Sequence, residues 1–139
     1  MIELRKILLV EDSQNDIELT LTALAEQNLA NRVVVLNDGV QAMEYLHYQG
    51  PYKSREKENP AVILLDIKMP RMDGIATFKA LKQIRPDVKV ILSSGYSEKE
   101  VAERFTGKGL AGFIQKPYGY QQLRKELERV LTFLDKQDV

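Results

Sequence analysis

The feature that most constrains the fold is a run of five apolar residues at positions 61–65 (AVILL) that ends in Asp66. Turn-forming residues bound this run, and a short apolar run of this kind is typical of a strand with both faces buried. Such strands are found in parallel sheets that carry helices on both sides. Asp66 is therefore predicted at the carboxyl end of a central strand, where open α/β sheets form their ligand crevice.

Strand-like and helical patterns alternate along the whole chain. The strand-like runs cover residues 7–10, 33–36, 62–65, 88–92 and 112–114. Between them, apolar residues recur at the spacing of amphipathic helices; Pro86 ends the third helix, and residues 97–100 (SEKE) form a capping box that opens the fourth. Five βα units predict one α/β domain, a (βα)5 doubly wound parallel sheet, over residues 1–139 with its core at about 5–134.

The composition excludes several classes of function. The 139 residues include 20 basic and 20 acidic residues, and this balance argues against a surface built to bind DNA or an anionic membrane. No cysteine is present, so disulfides, thiolate metal sites and cysteine nucleophiles are excluded. No apolar run approaches the ~20 residues that span a bilayer, and the first residues lack the pattern of a signal peptide. We therefore expect a cytoplasmic domain.

Two features outside the strand ends have ordinary explanations. Residues 50–60 form a polar stretch bracketed by prolines, which predicts an exposed loop that is either a tolerated insertion or a contact with a partner. His47 is the only histidine and lies on a helix away from the predicted crevice. We expect it to be a partly exposed structural residue.

Polar side chains follow the ends of four predicted strands. They are Glu11, Asp12, Asp66, Ser94 and Lys116. Because parallel strands end at the same edge of a sheet, we expect these side chains to converge. Three carboxylates in one pocket repel each other unless a cation bridges them, and oxygen ligands without cysteine or histidine favour Mg²⁺.

This grouping suits phosphoryl chemistry. Asp66 is ionised at neutral pH and could attack phosphorus to give an acyl phosphate. Lys116 could neutralise one phosphoryl oxygen and the Ser94 hydroxyl could donate to another, while Gly95 leaves room for the group. Taken singly, each residue has a simpler role: Glu11 and Asp12 as helix caps, Lys116 as a surface lysine and Ser94 as a turn residue. Their shared position at matching strand ends favours a functional site.

Other phosphate-binding and nucleotide-binding folds fit the sequence less well. A flavodoxin needs a hydroxyl-rich and glycine-rich loop after its first strand, where this chain has residues 11–16 (EDSQND). A haloacid-dehalogenase-type phosphatase needs an aspartate two residues after its nucleophile, and Lys68 stands there. A dinucleotide-binding enzyme would carry Gly-x-Gly-x-x-Gly after the first strand, and this motif is absent there.

The motifs resemble the receiver domain of two-component response regulators (CheY-like) over essentially the whole chain. They are residues 7–12 (ILLVED), 65–74 (LDIKMPRMDG), 94–96 (SGY) and the pair Lys116-Pro117. The resemblance implies a flavodoxin-like sheet of strand order 2-1-3-4-5. It also implies that Asp66 accepts a phosphoryl group from a phosphohistidine of a sensor histidine kinase or a histidine phosphotransfer protein.

The resemblance also implies roles for the surrounding residues. Asp12 and Asp66 would bind Mg²⁺, Glu11 would bind it mainly through water, and the backbone carbonyl of Lys68 would be a further ligand. Lys116 would precede a cis peptide bond to Pro117. Phosphorylation would draw the Ser94 hydroxyl inward and rotate Phe113, remodelling a face made of the fourth helix, fifth strand and fifth helix through which many receivers dimerise or bind partners.

Such a domain is a signalling switch that catalyses its own phosphorylation and dephosphorylation, and is not an enzyme in the usual sense. The N-terminal half resembles stand-alone receivers paired with bacterial phytochromes, whereas residues 91–98 resemble receivers fused to hybrid kinases. Because only the closing helix and a short tail follow Lys116-Pro117, we expect a stand-alone receiver. The alternative is a pseudo-receiver that binds proteins without phosphorylation, although such domains usually lose the acceptor, an acid or the lysine.

Overall fold

The computed structural model describes residues 6–26, 32–55, 60–67, 74–95, 109–116 and 118–138. In these residues five parallel strands form a sheet in the order β2-β1-β3-β4-β5. The strands are β1 (Ile7–Val10), β2 (Val33–Leu36), β3 (Val62–Asp66), β4 (Val90–Ser94) and β5 (Gly112–Gln115). This order confirms the predicted doubly wound, flavodoxin-like sheet.

Helices alternate with the strands. They are α1 (Gln14–Ala25), α2 (Gly39–Leu46), α3 (Gly74–Ile84) and α4 (Tyr120–Asp138). The Ser13 hydroxyl accepts a hydrogen bond from the Asp16 N–H at the start of α1, and the Asp38 carboxylate accepts one from the Gln41 N–H at the start of α2. The helix predicted to begin near residue 97 lies outside the described residues, so α4 is the fifth helix of the prediction. Among the described helices, none has the length and apolar character that crossing a membrane requires.

The core consists of two apolar layers, one on each face of the sheet. Side chains alternate along β1, so Ile7 and Leu9 lie in one layer and Leu8 and Val10 in the other. The first layer packs against α1 and α4, through residues such as Leu24, Leu123 and Leu127. The second packs against α2 and α3, through residues such as Ala42, Phe78 and Leu81. Burying each large apolar side chain contributes about 1.5–3 kcal/mol, which fixes the strand register and therefore the position of the strand ends.

The fourth strand begins two residues later than the sequence predicted. Val88 is buried, which is why the apolar run included it. Its N–H donates to the Arg85 carbonyl, and its own carbonyl accepts from the Lys82 ammonium, so Val88 belongs to the turn after α3. The strand runs on to Ser94 instead of ending at residue 92, and this places Ser94 on the sheet itself.

Residues 50–55 of the predicted loop pack against the end of α2. Residues Gly50–Tyr52 form a short 3-10 turn. The Arg55 guanidinium lies 3.9 Å from the ring centre of Tyr45 and 4.0 Å from that of Tyr48, and its Nε donates to the Tyr45 carbonyl at 2.7 Å. Stacking of this kind is favourable for a guanidinium. This part of the loop is therefore anchored to the domain by its own arginine.

Candidate functional site

The carboxyl edge of the sheet brings together the predicted site residues. Glu11 follows β1, Asp66 ends β3, Ser94 ends β4 and Lys116 follows β5. Hydrogen bonds between neighbouring segments hold this edge: the Lys116 N–H donates to the Ser94 carbonyl at 2.6 Å, and the Ile67 N–H donates to the Ser93 carbonyl at 3.0 Å. The backbone that carries Asp66, Ser94 and Lys116 is therefore one connected layer.

The Lys116 ammonium lies among three carboxylates. Its Nζ is 2.8 Å from Asp16 Oδ2, 3.0 Å from Glu11 Oε1 and 3.2 Å from Asp66 Oδ1. The side chains of Glu11 and Asp66 are 2% and 5% exposed, whereas that of Asp16 is 29% exposed. Because an ammonium has three N–H donors, Lys116 can serve one carboxylate with each.

Burial dominates the electrostatics of the two inner carboxylates. Burial, with the nearby charge of Asp66, raises the pKa of Glu11 to about 7 although Lys116 opposes the shift. Burial also raises the pKa of Asp66, again against the effect of Lys116. Burial alone would lower the pKa of Lys116, but hydrogen bonds to Asp16 and Glu11 and the charge of Asp66 raise it above its ordinary value. Lys116 is therefore a charged ammonium that balances crowded acids.

Three acids at this edge could hold a cation. One carboxylate oxygen from each of Glu11, Asp12 and Asp66 lies within 4.8 Å of the others. Glu11 is held in place because its Oε2 accepts a hydrogen bond from the Ser13 N–H at 3.2 Å. Asp12 is exposed, which leaves an approach from solvent. A set of carboxylate oxygens with an open side suits a hard cation such as Mg²⁺, which retains several of its waters.

Of the other predicted site residues, three are described by the structure and two are not. Ser94 is 2% exposed and lies on the strand next to that of Asp66. At Gly95 an added Cβ would meet no described atom within 4 Å, and the space for a phosphoryl group there stays a prediction. Phe113 on β5 is half-buried, and its N–H donates to Glu126 Oε2 at 3.1 Å. Lys68 and Pro117 lie outside the described residues, so their predicted roles remain predictions.

His47 lies away from this edge, as the sequence predicted. It follows the last residue of α2 and is exposed. Nothing in its position connects it with the carboxylates.

Asp16 is the residue that the sequence reasoning missed. It makes the shortest of the three ion pairs of Lys116, and it stands in the first turn of α1. The sequence carried one signal: Asp16 belongs to the acidic stretch 11–16 (EDSQND) that directly follows the first predicted strand.

Gly74 begins α3 directly against the backbone of Asp66 and Ile67. A Cβ at this position would clash with the Asp66 carbonyl oxygen and the Ile67 Cα. The Gly74 N–H donates to the Ile67 carbonyl at 2.7 Å, so α3 begins against the end of β3. The absence of a side chain at Gly74 therefore allows the helix to support the strand end that carries Asp66.

We expect Gly74→Ala to destabilise the domain by about 2 kcal/mol, because the clash involves backbone atoms that cannot rotate away. Gly95→Ala is the matched control for folding, and its expected cost is below about 0.5 kcal/mol. Urea unfolding followed by circular dichroism measures both. Equal stability of the two variants would contradict the close approach of α3 to Asp66.

Comparisons with known proteins agree with the resemblance. The sequence model of the response regulator receiver domain matches residues 7–128. The chain is 36% identical over 99 residues to response regulator Rcp1 of Synechocystis sp., covering 68% of this chain and 65% of Rcp1. The next curated relative, the transcriptional regulatory protein YesN of Bacillus subtilis, is matched over 24% of its length. The chain thus spans less than two thirds of these curated relatives.

Solved structures show the same fold. The bacteriophytochrome response regulator AtBRR superposes with a TM-score of 0.80 at 39% identity, covering 94% of both chains. The phosphorylated cyanobacterial phytochrome response regulator RcpA gives a TM-score of 0.82 at 28% identity, covering 94% of this chain and 96% of RcpA. The Mn²⁺-bound form of response regulator Rcp1 gives 0.78 at 25% identity, covering 91% of this chain and 94% of that structure.

Proposed function

Because the chain belongs to the response regulator receiver domain family, we propose that it is a phosphorylation switch in which Asp66 accepts a phosphoryl group from a phosphohistidine. The observation that carries this proposal is the set of charged groups around the Asp66 carboxylate. Its buried carboxylate ends the central strand, lies 3.2 Å from the Lys116 ammonium and has two further acids beside it. This arrangement offers a nucleophile together with compensation for the charge of a phosphoryl group.

The transfer is a substitution at phosphorus. An Asp66 carboxylate oxygen forms the new P–O bond while the P–N bond of the phosphohistidine breaks, and the bonding electrons remain on the imidazole nitrogen, which takes up a proton. The product is an acyl phosphate on Asp66 and a free histidine on the donor. Asp66 needs no general base when it attacks as a carboxylate.

Glu11, Asp12 and Asp66 would hold the metal, with the Lys68 carbonyl as a further ligand. Mg²⁺ bound there supplies positive charge to the phosphoryl oxygens and screens the carboxylates from one another. The carboxylate-only donor set supports this assignment. The Mn²⁺-bound form of Rcp1 supports a divalent cation, and the phosphorylated RcpA supports phosphorylation.

Three residues of the neighbouring strands complete the switch. The Lys116 ammonium donates a hydrogen bond to one phosphoryl oxygen. The Ser94 hydroxyl donates a hydrogen bond to a second phosphoryl oxygen, in the space that Gly95 leaves open. Phe113 follows the inward movement of Ser94 and alters the face made of the fourth predicted helix, β5 and α4, through which the chain would dimerise or bind a partner. A sensor histidine kinase or a histidine phosphotransfer protein would supply the phosphoryl group.

The proposal predicts phosphoryl uptake that depends on Mg²⁺. Incubation with acetyl phosphate and excess Mg²⁺ should add the mass of one phosphoryl group to the intact chain, and EDTA should abolish the gain. The double variant Glu11→Gln/Asp12→Asn should behave in Mg²⁺ as the wild type does in EDTA, because amides are much weaker ligands for Mg²⁺ than carboxylates. Intact mass spectrometry measures both.

A wild-type chain that gains no mass, under conditions that phosphorylate another receiver, would overturn the proposal and favour a pseudo-receiver that only binds proteins. A gain in mass that persists in EDTA would overturn only the role of the metal and would leave the phosphorylation proposal in place. Beryllofluoride titration monitored by NMR gives an independent reading, since it requires both the metal and the free Asp66 carboxylate.

A further inference from the structure

The three carboxylates around Lys116 are not equivalent. Glu11 and Asp66 belong to the acid cluster, whereas Asp16 lies outside it in the first turn of α1. Asp16 nevertheless makes the shortest contact with the ammonium, 2.8 Å against 3.0 Å and 3.2 Å. A cation bound by Glu11 and Asp66 competes with Lys116 for both of them, and leaves Asp16 as the carboxylate that Lys116 keeps.

We propose that Asp16 is a positioning residue that holds the Lys116 ammonium beside the site while Mg²⁺ occupies Glu11 and Asp66. With Asp16 present, Lys116 can yield the two inner carboxylates to the metal and still remain paired. Without Asp16, the ammonium would pair only with Glu11 and Asp66, and Mg²⁺ would have to displace it from both carboxylates. This inference rests on the proposed function, because it assumes the metal site.

A second contact, one helical turn along α1, joins the same two segments. The Tyr118 hydroxyl lies 3.1 Å from Thr20 Oγ1, and Thr20 Oγ1 donates to the Asp16 carbonyl at 2.8 Å. Tyr118 is buried and stands two residues after Lys116. The segment that carries the lysine is therefore tied to α1 at two points, one through the lysine itself and one through Tyr118.

Asp16 also has an ordinary structural role, and the experiment must distinguish that role from the positioning of Lys116. An acid in the first turn of a helix interacts favourably with the helix dipole, and this effect would not depend on Lys116. A bare negative charge near the site would also attract Mg²⁺ directly. Both effects would be the same whether or not the lysine is present.

A double-mutant cycle tests the proposal, with the Mg²⁺ dissociation constant measured by NMR titration of the full chain. Asp16→Asn should weaken Mg²⁺ binding by about 5-fold in the wild-type background and by less than about 2-fold in a Lys116→Met background. In the Mg²⁺-saturated wild type the Lys116 ammonium protons should be protected from exchange, and Asp16→Asn should remove that protection. Tyr118→Phe, which cuts the other tie, should leave the dissociation constant within about 2-fold of wild type.

Equal effects of Asp16→Asn in the two backgrounds would overturn the proposal and leave Asp16 as a helix-start acid or a bare charge. A Tyr118→Phe variant that weakens Mg²⁺ as much as Asp16→Asn would also overturn it, because both would then act by loosening the segment. A wild-type chain that binds no Mg²⁺ would instead overturn the metal site of the proposed function. The two failures are thus distinguishable.

Discussion

Asp66→Asn is expected to lose phosphoryl uptake almost completely, to below about 1% of the wild-type amount. The amide is nearly the same size as the carboxylate but has no ionised oxygen to attack phosphorus, so the acyl phosphate cannot form. The substitution also removes one of the two buried negative charges beside Lys116. Intact mass spectrometry after incubation with acetyl phosphate and Mg²⁺ measures the loss, and peptide mapping of the wild type locates the modified residue.

The matched control for this prediction is Asp87→Asn, the same chemical change at an exposed aspartate in the turn after α3. It should take up phosphoryl groups as the wild type does. Asp66→Asn should remain folded, because its side chain still fills the same space at the end of β3. Uptake at the wild-type level in a folded Asp66→Asn chain would move the acceptor to another residue.

The fold was predictable because its strands are short apolar runs with clear boundaries. The bounds of β1 and β2 match the predicted ones, and both are runs in which every residue is apolar. The predicted start of β4 was wrong, because the sequence does not distinguish a buried valine in a turn from a buried valine in a strand. Periodicity reports burial, and only the backbone hydrogen bonds of Val88 assign it to the turn.

The strand order was beyond periodicity and came from the resemblance to receiver domains. The alternation of strands and helices is consistent with several orders, whereas the motifs around Asp66 and Lys116 are specific to one family. The weaker likeness to receivers paired with bacterial phytochromes agrees with the structural similarity to AtBRR.

The site was predictable to the extent that parallel strands bring their carboxyl ends together. Glu11, Asp12 and Asp66 lie close together as expected. Asp16 was missed because it lies on a helix, and its contact with Lys116 depends on how α1 rotates about its axis. That rotation is set by the packing of residues such as Ile17 and Leu24 against the sheet, which strand-end logic does not include.

Lys116→Met is the second change with a large expected effect, a loss of stability that added metal should largely offset. Without metal, Lys116 is the cation that balances Glu11, Asp66 and Asp16. Methionine keeps much of the side-chain volume but leaves two buried carboxylates without a cation beside them, which should destabilise the domain by about 3 kcal/mol in EDTA. Partial protonation of the carboxylates limits the loss. Urea unfolding followed by circular dichroism measures it.

Mg²⁺ should restore most of this stability, because a divalent cation can replace the missing charge and no longer has to displace an ammonium. At one fixed Mg²⁺ concentration the variant should gain more stability than the wild type, because it should bind the metal more tightly; the gain reaches about 2.7 kcal/mol at about 100 times the dissociation constant. The control is Lys125→Met, an exposed lysine on α4, whose change should be within about 0.5 kcal/mol in either condition. Equal gains from Mg²⁺ in wild type and Lys116→Met would mean that lysine and metal do not compete for the same carboxylates, and the electrostatic account of the site would then be wrong.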